Sequence, residues 1–255
     1  MGWINLSADP AAHLHWTRLT AQFTLFIAGG ICVLAMAILD WWKRKDADSL
    51  LLMLWVLGTF AFAALLNWTV NARSVLPLIP AAGILLARRL DAMAALSHRA
   101  KAVALVVPLA LAGFVSLWVC WADAKLAGSA RQAAEYVRAH AGEDAADLAF
   151  QGHWGFQYYM ESFGFQPVDF KDAFRNGILM VIPENNTNTH YPPEQFIISK
   201  NIVGFDADTG ILLINPAAGA GFNSSFWGPL PYAFGSVPPE RYAILRVANP
   251  ANRNQ

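Results

Sequence analysis

Apolar runs separated by short basic loops fill the first half of this chain, and they stop near Asp123, where the sequence takes on the mixed character of a water-soluble domain. A helix needs roughly 20 apolar residues to cross a bilayer core. The runs at 19–39, 50–66 and 103–121 fall in that range. The run at 74–87 is shorter: between Arg73 and Arg88 a helix rises only about 22 Å, less than a hydrocarbon core of about 30 Å. It crosses only if Arg88 and Arg89 snorkel and the helix continues towards Leu96. A mean hydropathy of +0.35, with 56% hydrophobic and 14% charged residues over 255 positions, is too apolar for a single soluble domain of average usage.

Loop charge orders the runs. Lys43, Arg44 and Lys45 follow the first, while Arg88, Arg89, Arg99 and Lys101 lie between the third and fourth. Short basic loops stay in the cytoplasm, and two cytoplasmic loops need an even number of crossings between them, so the short run is expected to cross. The expected fold is an α-helical polytopic membrane region followed by a small extracytoplasmic α/β domain. Its parts are an external tail at 1–18, about four transmembrane helices at 19–41, 49–67, 74–96 and 102–122, and a soluble domain at 124–255. Trp16, Trp41, Trp42, Trp68, Trp118 and Trp121 fall near run ends, as an aromatic belt requires. Residues 1–18 lack a secretory signal pattern. Such a tail also fits an internal slice of a larger membrane protein.

Cys32 and Cys120 lie in runs at different depths, and the external domain has no cysteine, so it is not a disulfide scaffold. Nine basic against six acidic residues before 124, and nine against twelve after it, argue against a nucleic-acid partner.

In the soluble part, Ser129 and Gln132 form a capping-box pattern, Ala130, Ala134 and Val137 share a face, and Arg138 and His140 precede Gly142, which predicts a helix starting at Ser129. Strands are expected at 147–151, 178–182, 197–198, 211–214 and 242–247, with a helix at 154–162. This alternation predicts a two- or three-layer α/β sheet. Residues 184–193 read as a polar loop. Residues 216–239 form a long Gly/Pro/aromatic stretch without periodicity, of the kind that is functional or packed on a neighbour.

Several chemistries are disfavoured. Gly152-His153-Trp154-Gly155 sits between a strand and a helix, but Phe150 breaks the Gly-x-Gly-x-x-Gly spacing of a nucleotide loop. No His, Cys and carboxylate set has zinc spacing, and His153 and His190 are isolated, so no metal site is expected in this chain. No Gly-x-Ser-x-Gly elbow occurs. Sequons at Asn5, Asn67, Asn185 and Asn223 match a tripeptide common by chance. Asp40 and Asp123 sit at run ends, where solvated interfacial roles are expected.

The segment 67–80 stands out. Arg73 lies at the external mouth of the short, proline-bearing run, where a guanidinium can grip a lipid phosphate through a bidentate fork. Asn71 and Trp68 flank it as further candidates. The competing reading is an arginine that snorkels and only sets helix depth.

Three runs carry a resemblance: Val70-Asn-Ala-Arg73-Ser-Val-Leu-Pro77-Leu-Ile-Pro80, then Phe150-Gln-Gly152-His-Trp-Gly155-Phe-Gln-Tyr-Tyr-Met-Glu161, and Gly221-Phe-Asn-Ser-Ser-Phe-Trp-Gly228-Pro-Leu-Pro231-Tyr-Ala-Phe-Gly235. Over nearly its whole length the chain resembles the carboxyl-terminal portion of bacterial GT-C type membrane glycosyltransferases, similar to dolichyl-phosphate-mannose protein mannosyltransferases. The resemblance implies a multi-pass protein of the bacterial inner membrane. Such a protein takes a sugar from a polyprenyl-phosphate carrier and transfers it on the extracytoplasmic side to an acceptor that the sequence does not identify. It implies carrier-phosphate contact for Arg73, and acceptor contact or a lid for the external domain, with His153, Trp154, Tyr158 and Glu161 as candidates. A complete enzyme would use a carboxylate base, with cations or a divalent metal stabilising the departing phosphate. In that family the catalytic carboxylate lies in the first external loop, ahead of many spans, and Asp9, the only acid before the first run here, does not match it. No catalytic residue and no cofactor are therefore expected in this chain itself. The competing class is a non-catalytic, membrane-anchored periplasmic binding or assembly module using residues 216–239. A transporter fragment is disfavoured because no run shows a buried charged pair or an internal repeat.

Overall fold

A largely apolar sequence free of proline makes Trp16–Arg44 one helix, α1, which continues through Gly29-Gly30. The computed structural model describes residues 16–69, 71–93, 97–142, 148–169, 178–187 and 189–247. After a tight turn, α2 (Ala47–Ala61) starts behind Asp46, whose carboxylate accepts the Ser49 N–H at 2.7 Å. It ends in a π-helical turn, Phe62–Leu66, closed by the Asn67 N–H on the Phe62 carbonyl at 2.9 Å. The next segment is broken into α3 (Ala72–Val75), a 3-10 turn (Leu76–Leu78) and α4 (Ile79–Asp91). Pro77 and Pro80 supply no N–H, so the Arg73 carbonyl is taken by Leu76 and the Leu76 carbonyl by Ile79, which tightens the helix locally. The Trp55 indole donates to the Pro77 carbonyl at 2.8 Å.

Among the described residues, three helical stretches are long and apolar enough to cross a membrane: Leu19–Arg44, Ala47–Leu66 and Arg99–His140. The fourth expected span, 74–96, is not one such helix; it is the broken segment, its last helix stops at Asp91, and residues 94–96 lie outside the described residues. Around Ala37, Leu52, Val56, Ala81 and Leu85, α1, α2 and α4 share a core. Arg88 does not snorkel: its NH1 donates to Asp40 Oδ2 at 3.0 Å and to Ser49 Oγ at 3.1 Å. Asp40 is likewise not a solvated end group. Its side chain is 14% exposed and also accepts from Arg44 Nε at 3.1 Å and Ser49 Oγ at 2.9 Å. The Asp40–Arg88 pair is partly buried, at 14% and 24% side-chain exposure, and lies at the helix ends. The network joins the end of α1, the start of α2 and the end of α4, so α4 runs back along α2.

Helix α5 extends over 43 residues, His98–His140, with Pro108 inside it. The helix expected to begin at Ser129 does not begin there: Ser129 Oγ donates to the Leu126 carbonyl at 2.7 Å and lies 3.2 Å from the Tyr242 hydroxyl. An alanine-rich sequence with only Gly128 as a weak breaker carries the helix straight through.

By Cα proximity the chain divides into two units. One gathers the described residues up to Cys120 with Ile211–Gly235; the other gathers Trp121–Gly210 and the residues from Ser236 onward. The second unit is a mixed sheet of order β2-β1-β3-β9-β4, made of β1 (Leu148–Phe150), β2 (Gln166–Pro167), β3 (Leu179–Pro183), β4 (Ile197–Phe205) and β9 (Glu240–Val247). β1 pairs in parallel with β2 and β3, and β9 is antiparallel to β3 and β4. Ala133 and Val137 of α5 with Phe156 and Met160 of α6 (Trp154–Ser162) pack on one sheet face against Phe150, Val181 and Tyr242. Met180, Ile182, Ala243, Leu245 and Val247 fill the other face. The expected helix at 154–162 and the strands near 148–150, 179–183 and 240–247 are present, and the strand expected at 197–198 extends to nine residues.

Ile211–Gly235 departs from expectation. The strand foreseen at 211–214 is split between β5 (Ile211–Leu212), paired with β8 (Ala233–Phe234), and β6 (Ile214–Asn215), paired with β7 (Ala220–Gly221). The foreseen loop is thus a folded insertion that groups with the helices rather than with the main sheet. Its tightest point is the approach of Gly221 and Gly228, where an added Cβ would meet the backbone of Ser224 or Gly219.

Candidate functional site

In the helical unit, the break between α2 and α4 positions Arg73. Asn67 Nδ2 donates to Ser74 Oγ at 2.7 Å, and Asn71 Oδ1 accepts from the Ser74 N–H at 3.0 Å and its hydroxyl at 3.1 Å. Asn71 thus caps α3, and its carbonyl oxygen is committed to that structural task. Arg73, one helical position further on, is exposed and lines an open groove of about 500 Å3 with Gly58, Thr59, Phe62, Ser74 and Pro77. Among the described residues no carboxylate pairs with it. Arg44 and Arg88 in the same unit both engage Asp40. Trp68 is 84% exposed and meets Phe226 edge to face at 5.8 Å. The structure therefore places the three sequence candidates in one short stretch and gives them different roles: Asn71 builds, Arg73 faces the groove, and Trp68 stands at the surface. The π turn at Phe62, a distortion often found beside functional sites, forms one wall.

In the sheet unit, the edge at which β1 and β3 end is the crevice where open α/β sheets place their ligands. His153 and Trp154 stand there at the start of α6, and Tyr158 and Glu161 follow along the helix, one and two turns further from that edge. His153 Nδ1 lies 3.4 Å from Gln157 Oε1, and Gln157 Nε2 donates to Glu161 Oε1 at 2.7 Å. Trp154 and Tyr158, one turn apart, are 63% and 68% exposed. Trp154 adopts φ +59, a left-handed conformation that costs a non-glycine residue about 1–2 kcal/mol. The turn is held by its neighbours. Gly152, at φ +100, fits where a Cβ would sit 2.6 Å from Pro183 Cγ. The buried Asn186 amide accepts the His153 N–H at 3.1 Å and donates to the His153 carbonyl at 3.3 Å. Buried Gln151 pairs with the His190 backbone on both sides, donating at 2.8 Å and accepting at 2.7 Å.

The same edge carries a carboxylate pair in contrasting surroundings. Glu184 accepts from Arg241 Nε at 3.1 Å and from the Tyr191 hydroxyl at 3.0 Å, and burial pushes that hydroxyl's pKa up. Burial also pushes the Glu240 carboxyl up to about 7, against one hydrogen bond from Asn185 Nδ2 at 3.0 Å. Gln151, Gln157, Asn186 and Glu240 were not singled out from the sequence. Glutamines and asparagines in a polar loop carry no spacing signal, and their importance comes from which backbone groups the fold brings to them. Among the described residues, no group of three or more His, Cys, Asp or Glu side chains is placed to hold a metal ion. No protein-family model matches this chain, and neither the curated proteins nor the solved structures contain a match to it.

Proposed function

We propose that this chain forms the carboxyl-terminal, carrier-binding part of a GT-C type membrane glycosyltransferase that uses a polyprenyl-phosphate sugar on the extracytoplasmic side of a bacterial inner membrane. In this reading α1, α2, the broken segment and α5 cross the bilayer. The broken segment, Ala72 to Asp91, spans 20 residues, or about 30 Å if helical throughout, enough for a core of that thickness. Its Arg88 end meets the α1–α2 turn rather than needing to snorkel.

One observation carries the proposal: Arg73 is a cation without an acidic partner among the described residues, at the lip of an open groove, in a unit whose Arg44 and Arg88 both engage Asp40. A guanidinium held there offers a planar fork to a phosphate whose polyprenyl chain lies along the apolar wall, and it would stabilise the charge on that phosphate as the sugar leaves. The α6 edge, with its aromatic and polar side chains, is suited to an acceptor. No residue of this chain is assigned as the general base.

Binding tests this directly. With the full chain in zwitterionic nanodiscs, radiolabelled polyprenyl phosphate should bind saturably and the matching polyprenol should not. Arg73→Ala should weaken binding at least ten-fold, and Arg73→Lys should give an intermediate value because a point charge replaces a fork. Equal binding by wild type and Arg73→Ala would return Arg73 to a depth anchor and leave the anchored binding module as the better reading.

A further inference from the structure

Ile211–Gly235 contains 25 residues and no Asp, Glu, Lys, Arg or His, although the strands it interrupts are flanked by Asp206, Asp208, Glu240 and Arg241. Soluble loops of that length carry charge, and this one carries Phe222, Phe226, Trp227, Tyr232 and Phe234 instead. It is also not packed like a solvent loop. Tyr232 meets Phe26 of α1 edge to face at 5.5 Å, Phe234 lies against Trp118 of α5 at 5.7 Å, and Phe226 reaches Trp68. Ser224 shares a 2.8 Å hydrogen bond with Thr69.

Depth along the helices is the informative quantity. Phe26 lies seven residues inside the apolar stretch that begins at Leu19, about 10 Å at the helical rise, so the insertion reaches well below the end of that stretch. Phe226 remains 75% exposed and Phe234 42% exposed, continuous with the bare apolar surface of the helices at Leu25, Ile27, Phe114 and Leu117. An apolar face of this kind, with aromatic rings at the boundary level, matches the region where lipid headgroups meet acyl chains, which elements of this type enter by roughly 5–10 Å.

We infer that Ile211–Gly235 is an interfacial membrane element, inserted from the α/β domain into the outer headgroup–acyl boundary beside α1 and α5, with lipid as the partner of Phe226 and Phe234. This rests on the reading of α1, α2 and α5 as bilayer spans. The segment then forms part of the lipid-facing wall next to the 67–71 loop that carries Arg73's cap.

Site-directed spin labelling tests it. In a background of Cys32→Ser and Cys120→Ser, single cysteines at Phe226, Asn223 and Phe234 are labelled in the full chain in nanodiscs. Collisions with oxygen and with a water-soluble nickel chelate are then compared. Leu109→Cys in α5 and Ser199→Cys on β4 serve as lipid and water references. Labels at 226 and 234 should favour oxygen over the chelate at least five-fold relative to 199, with 223 intermediate. If 109 reads as lipid while 226 and 234 both read as 199 does, the inference falls and a protein or solvent partner covers the segment. If 109 also reads as water, the membrane reading and the inference fall together.

Discussion

Glu240 has a carboxyl pushed up to about 7 against an ordinary 4.5, with burial as the main cause. A group whose folded-state pKa is raised favours the folded state when protonated, so its contribution is complete below pH 4.5 and is lost as pH rises through 7. The ceiling on that loss is about 3 kcal/mol. Asp206 and Asp208 act in the opposite sense: hydrogen bonds from Lys125 and from the Val237 and Gly210 amides, respectively, hold them below 3.8. Their contributions disappear only as pH falls beneath the ordinary carboxylate range, so the two windows do not overlap. Glu240→Gln keeps the acceptor for Asn185 and removes the charge. Between pH 5 and 8 the apparent Tm of the wild type, followed by near-UV circular dichroism, should fall while that of Glu240→Gln stays flat. Parallel slopes would show that Glu240 is ordinarily solvated. Trp154 poses a related question at the same edge. It bears left-handed strain and 63% exposure together, and packing returns neither cost. Strain of this kind persists only where the surroundings fix it, here through Gly152 and Asn186.

Secondary-structure elements divide into those whose cause is local and those whose cause is a neighbour. Helix α6 was legible over 154–162 because its apolar and polar positions repeat within nine residues, and β3 because an uninterrupted apolar run marks a buried strand. Ser129 was misread because a capping-box pattern inside an alanine-rich helix is outweighed by the burial of Ala133, Ala134 and Val137. The break at Pro77 and Pro80 was visible as two missing N–H groups, but the pairing of Arg88 with Asp40 was not, because those residues lie 48 positions apart. That pair makes a prediction at the scale of helix ends. Arg88→Met alone leaves Asp40, mostly buried at 14% side-chain exposure, short of a donor and should lower stability by about 2 kcal/mol. The double variant Asp40→Leu with Arg88→Met should recover most of it, read as Tm in detergent. A double variant no more stable than the single one would mean that α4 does not dock through this pair.

At the scale of the whole molecule, loop charge in the sequence and Arg88 in the structure bear on the same element of the proposed topology, the broken segment. Basic loops after α1 and before α5 call for an even number of crossings, and in the proposed topology α4, which runs back along α2, is the return. The solvent change near Asp123 was legible from composition and lies close to the division at Trp121. The grouping of Ile211–Gly235 with the helices was not, because an aromatic stretch without periodicity reads the same in a loop and at a membrane surface. The candidate site was legible as a stretch around Arg73 and as residues along α6; its supports, Asn67, Gln151 and Asn186, depend on contacts made only by the fold.

Carrier contact at Arg73 on the outer side requires that the loop after α2 and the α/β domain face the same compartment. Single cysteines replacing Trp68, Ser199 and Lys45, in a chain without Cys32 and Cys120, settle this through labelling of spheroplasts with a membrane-impermeant maleimide. Four crossings predict that positions 68 and 199 react in intact spheroplasts and that position 45 reacts only after lysis. Reaction at 68 with protection at 199 would contradict the account, because the segment from Ala72 to Asp91 would then not cross.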